Sequence, residues 1–138
     1  TNAAHDISCT RLQKLTSDKP ALNWIVNSVI GDARKFYITD NDVPSVPASI
    51  NIPGLYRPVY LRRGHYFRAV DTVRAQCGNP PWDKVMIIGD IAELDLMMFA
   101  SLGAQVVLVQ SAATLPHEKD YITSLPNGRV VNKLTELL

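Results

Sequence analysis

VMIIGDIAELDLMMFASLGAQVVLV, Val85 to Val109, is the stretch whose reading decides the fold. It opens on an apolar run, Val85–Ile88, closed by Gly89-Asp90. Leu94, Met97, Met98 and Leu102 then recur at helical spacing, and Gly103 ends the stripe. A second apolar run, Val106–Val109, follows. The order is strand, helix, strand. Neither run alternates with polar residues, so both strands read as buried on two faces. Such strands belong to a parallel sheet covered by helices.

The flanks extend the pattern. Upstream, residues 65–77 carry Tyr66, Phe67, Val70, Val73 and Cys77 on one helical face. Gly78 stops that helix, and Pro80-Pro81 forbid its restart. Pro58–Leu61 and Phe36–Thr39 read as short strands. They are separated by a loop over residues 40–56, rich in Pro, Asn, Asp and Ser. Before them, Ser17 or Asp18 caps a helix with Pro20 in its first turn. Its stripe is Leu22, Ile25, Val26, Val29 and Ile30, and Gly31 ends it. Residues 1–17 are polar and give no clear element. Downstream, Arg129–Val131 reads as a brief strand and Lys133–Leu138 as a last helical turn. The expected fold is a three-layer α/β, Rossmann-like domain with a mainly parallel sheet. It occupies residues 20–138, after an amino-terminal segment over residues 1–19.

Composition narrows the function. A chain of 138 residues, 46% apolar and 20% charged, has the makings of a globular core and is not a disordered one. Fourteen basic against thirteen acidic residues leave a net charge of +1, which points to neither nucleic acid nor an anionic membrane as partner. The apolar runs are far too short to span a bilayer, and the start shows no secretory signal. Cys9 and Cys77 form no disulfide framework, so free thiols in a cytoplasmic setting are expected. The three histidines are scattered, without zinc-site spacing.

Ligands of open parallel sheets bind beyond the carboxyl ends of the strands. Here those ends are Thr39-Asp40-Asn41, Arg62-Arg63-Gly64, Gly89-Asp90 with Glu93 and Asp95 behind it, and Gln110-Ser111. A hydroxyl, a guanidinium pair and a carboxylate cluster suit a phosphate and a hard divalent cation. Simpler roles exist for each. Asp90, Glu93 and Asp95 suit the first turn of a helix, Arg62 and Arg63 a solvated surface, and Asp40 and Asn41 a turn. His65 suits an exposed helix start. Met97 and Met98 are core filler.

Residues 85–109 resemble the fourth motif of the haloacid dehalogenase-like hydrolases: an apolar strand, Gly-Asp, four residues, Asp, a helix, Gly, and another apolar strand. Gly89, Asp90 and Asp95 match it residue by residue. FYITD, residues 36–40, resembles the second motif, with Thr39 in the hydroxyl position. The resemblance spans roughly residues 20–138. It implies a Mg²⁺-dependent phosphatase for a small phosphorylated substrate, or a dehalogenase. Asp90 would bind magnesium, Asp95 would support it directly or through water, and Thr39 would hold the phosphoryl group.

Two departures qualify it. The family's third motif supplies a Lys where this chain has Arg62-Arg63; Arg62 or Arg63 would replace it, keeping the positive charge against phosphate but presenting a planar fork in place of a compact ammonium. The family's first motif, an apolar strand ending in Asp-x-Asp that carries the nucleophile, is missing. Asp6-Ile7-Ser8-Cys9-Thr10 is the one fragment of similar shape, with Ser8 where the second Asp belongs. The expectation is therefore a carboxy-terminal part of a longer protein, with the first central strand upstream and little turnover by this chain alone. The vacant position would be filled by residues 1–10, by a second copy, or by a separate amino-terminal piece. A non-catalytic relative, kept for binding or assembly, is the alternative. A receiver domain is weaker: it expects a paired acidic motif early in the chain and a Lys directly after a late strand, and Val109 is followed by Gln110-Ser111.

Overall fold

The computed structural model describes residues 1–39, 43 and 45–137. The chain forms two compact units, Thr1–Lys35 and Phe36–Leu138. No helix among the described residues is long and apolar enough to cross a membrane.

The first unit is a helical pair. α1, His5–Thr16, packs on the short α2, Asn23–Asn27, which follows a 3₁₀ turn at Pro20–Leu22. Cys9 Sγ lies 3.8 Å from the Val26 carbonyl and 3.4 Å from His5 Nε2. The Thr1 amine donates to Ile30 O, and the Asp32 and Ala33 N–H groups donate to Ala3 O and Thr1 O. Residues 1–10 therefore do not supply a strand. Asp6 stands in the first turn of α1, where a carboxylate favours the helix dipole. The expected stripe of residues 22–30 is only partly realised: Val26 is buried, Leu22 and Trp24 are exposed, and the helix stops at Asn27.

The second unit is α/β. A two-stranded antiparallel ribbon joins β1, Ser49–Ile50, to β2, Val59–Tyr60. α3, Gly64–Gln76, follows. The sheet proper is parallel, in the order β3 (Met86–Gly89), β4 (Gln105–Val109), β5 (Gly128–Val131). Its register places Ile88 opposite Val107 and Leu108 opposite Val130. Between β3 and β4 the chain makes a π-helical turn, Ala92–Leu96, that runs directly into α4, Met97–Ser101. Between β4 and β5 it makes α5, Pro116–Ser124.

The core gathers Val106, Val107 and Leu108 of β4 with Leu96, Met97, Met98, Phe99 and Ile122. Met97 and Met98 are core, as their spacing predicts. Tyr66 meets Phe99 edge-on at 5.1 Å, fixing α3 against α4, and Trp82, in the turn before β3, packs on Phe99 at 5.5 Å. Arg74 lies over the Trp82 ring at 4.7 Å and reaches Asp71 and the Pro80 carbonyl, which holds the chain at the Pro80-Pro81 turn.

Two expected strands differ. Phe36–Thr39 is not a strand: Phe36 and Tyr37 are largely exposed, and Lys35-Phe36 is a turn. An apolar run makes a strand only when a neighbour takes up its backbone groups. Among the described residues the backbone bond seen here runs from Thr39 N to Arg62 O at 2.9 Å. The Pro58–Leu61 strand exists in part, as β2, but pairs antiparallel with Ser49–Ile50 inside what reads as loop. Asp40 and Asn41, expected turn formers, lie outside the described residues.

Candidate active site at the end of β3

The acidic turn after β3 is built by Asp95. Its carboxylate folds back over the strand end, and Oδ2 accepts the Asp90 and Ile91 N–H groups at 3.2 and 3.1 Å. This explains Gly89. A Cβ there would come within 2.6 Å of Asp95 Oδ2, so only glycine lets the side chain close over the backbone. The π-helical turn gives the extra residue that swings Asp95 inward; such single turns often mark functional sites. Asp95 is buried, whereas Asp90 is exposed at the rim.

A second carboxylate fixes the turn from behind. Glu118, buried in the first turn of α5, accepts the Ala92 N–H at 2.9 Å and the Glu93 N–H at 3.4 Å through Oε1. Its Oε2 takes the Leu115 N–H at 3.2 Å. Glu118 thus satisfies donors at the starts of two helical segments at once.

Cations face the turn from the other side. The Arg57 guanidinium grips Glu93 with both prongs, Nη1 to Oε1 at 3.1 Å and Nη2 to Oε2 at 2.7 Å. Arg63 Nη2 stands 3.6 Å from Glu93 Oε1. The hydrogen bond and charge of Glu93 raise the Arg57 pKa. Burial lowers that of Arg63, while Glu93 pushes it back up, Arg57 lowers it further and Asp95 raises it. The Tyr66 hydroxyl donates to the Asp95 carbonyl at 3.3 Å; burial, reinforced by the Asp95 charge, holds its pKa far above the ordinary phenol value.

The sequence-predicted residues converge in part. Thr39 Oγ1 accepts the Gly64 N–H at 2.9 Å, so its hydroxyl sits at the start of α3, beside the backbone of Arg63. Arg63 reaches the acidic turn. Arg62 Nε instead donates to the Val46 carbonyl at 2.9 Å, bracing the loop before β1. His65 pairs with Arg68 at 3.2 Å on the outer part of α3. Cys9 and Cys77 form no disulfide.

Sequence reasoning missed Arg57, Tyr66 and Glu118 as parts of this site. Arg57 lies in a proline-bounded loop that carries no periodic signal. Glu118 was findable, because a carboxylate three residues after Leu115, with Pro116 between, is a helix-start pattern.

As a cation site the turn offers Asp90 and Asp95. Among the described residues no group of three or more His, Cys, Asp or Glu is arranged to hold a metal. Magnesium does not require one: it keeps several waters and takes one or two carboxylates together with substrate phosphate. Asp90 at the rim, with Asp95 behind it, fits that mode. Glu93, committed to two arginines, does not contribute. Comparisons with family models, curated proteins and solved structures find no match for this chain.

Proposed function

We propose that this chain is the core of a haloacid dehalogenase-like hydrolase acting on a small phosphorylated substrate with Mg²⁺. The observation that carries the reading is the Gly89-Asp90…Asp95 turn. It stands at the carboxyl end of a parallel strand, glycine is required there by the folded-back Asp95, and an exposed Asp90 is left at the mouth. Bound magnesium would neutralise charge on the transferring phosphoryl group. Asp90 would hold it, and Asp95 would fix the backbone that presents Asp90. The Thr39 hydroxyl and Arg63 would face the phosphoryl oxygens, with Arg63 replacing the family's Lys; Arg62, turned to Val46, is the weaker candidate. The nucleophile would come from a strand added to the second edge of β3, which has no strand partner among the described residues.

The test is a calorimetric Mg²⁺ titration of the chain, with Asp90→Asn as control. The wild type should bind, and Asp90→Asn should weaken binding by at least about tenfold. Identical behaviour would remove Asp90 from the metal site and the hydrolase reading with it.

One observation favours a non-catalytic binding module instead. Arg57 and Arg63 already neutralise the acidic turn through Glu93. That reading expects binding of a phosphorylated ligand with no dependence on magnesium.

A further inference from the structure

We propose that Arg57 and Arg63 form an oxyanion-binding pair whose resident occupant is the Glu93 carboxylate, and that a phosphate-bearing ligand binds by displacing Glu93. The three side chains form a gradient from solvent to interior: Arg57 is 57% exposed, Glu93 23% and Arg63 4%. Glu93 is therefore the plug between water and a buried guanidinium. Its contact with Arg57 is the planar, two-pronged arrangement that a guanidinium also makes with phosphate.

A phosphate monoester suits this pair better than the carboxylate does. It carries more charge at neutral pH and presents three terminal oxygens, enough to engage both guanidinium groups together. Displacement is local. Glu93 sits on the π-helical turn, its backbone is held by Glu118, and its partly exposed side chain can rotate into water without moving the turn. Arg63 immediately precedes Gly64, whose N–H already bonds the Thr39 hydroxyl, so a bound oxyanion would lie near a further polar group. The inference rests on the preceding reading only for the phosphoryl chemistry of the ligand; it requires neither magnesium nor turnover.

The test is titration of inorganic phosphate into chelator-treated full chain, by calorimetry, with sodium chloride at matched ionic strength as control. Glu93→Gln should bind phosphate about fivefold more tightly than wild type, the effect of removing a partly exposed competing ion pair. Adding Arg57→Gln should abolish the gain. Glu93→Asp, which keeps the charge but is too short to span both arginines, should tighten binding by a smaller factor and serves if Glu93→Gln does not fold. Equal affinities of wild type and the Glu93 variants would overturn the proposal. So would a gain that survives Arg57→Gln or is matched by chloride. Failure of Asp90→Asn to alter magnesium binding would leave this result untouched, so the two readings fail separately.

Discussion

β3 and β4 are near-equals in sequence and opposites in the fold. Both are short apolar runs, and they pair with each other in parallel. In β4, Val106, Val107 and Leu108 are almost wholly buried. In β3, Ile87 is buried, but Met86 and Ile88 are 54% and 44% exposed. The cause is position: among the described residues β4 has a strand on each side and β3 has one. An apolar run announces a strand; it does not announce how deep the strand lies.

The largest effect should come from breaking β4. Leu108→Ala removes a fully buried side chain and should cost about 3 kcal/mol, read as the shift in urea unfolding free energy. A cost below about 1 kcal/mol would contradict a central β4.

The strand ends invert the contrast. β3, the exposed strand, carries the constrained carboxyl end, because Asp95 closes over Gly89. Gly89→Ala should cost about 1–3 kcal/mol by forcing Asp95 off the Asp90 and Ile91 N–H groups. The readout is a lower unfolding midpoint together with weakened Mg²⁺ binding. An alanine variant as stable as wild type would show that the turn does not require glycine.

The acidic turn after β3 was legible as a local structure where parts of the frame around it were not. Gly89 and Asp95 are readable because close packing between them permits few residue types there. Gly78 and Pro80-Pro81 mark the end of α3 for a similarly local reason. By contrast, α1 escaped notice because its helix buries only Thr16 and so has no apolar stripe to read. Phe36–Thr39 looked like a strand because residue type alone says nothing about an available partner. Arg57 joins the site across 36 residues of chain, through an ion pair that no local spacing encodes.

Tyr66 ties the constrained end of β3 to α3 and gives a pH signature. Its hydroxyl bonds the Asp95 carbonyl, and burial raises its folded-state pKa. An unfolded tyrosine ionises near pH 10. The stabilisation is therefore complete below about pH 10 and is lost as pH rises above it. Tyr121, half-buried and shifted the same way, adds to that loss. Tyr66→Phe should cost about 1 kcal/mol at neutral pH and make the alkaline loss of stability shallower. An unchanged alkaline limb would mean that Tyr66 is exposed in solution.

The smallest effect is the sharpest test of the comparison. Ile88→Ala lies on the exposed side of β3, directly opposite the buried Val107. With much of its side chain already in water, its truncation should cost about 1 kcal/mol or less, well under Leu108→Ala. The measurement is the same urea unfolding, repeated over a wide range of protein concentration. A cost approaching that of Leu108, with a midpoint that rises with concentration, would mean that a second copy covers β3 in solution. The strand would then be an edge only within one chain, and its difference from β4 would belong to the monomer alone.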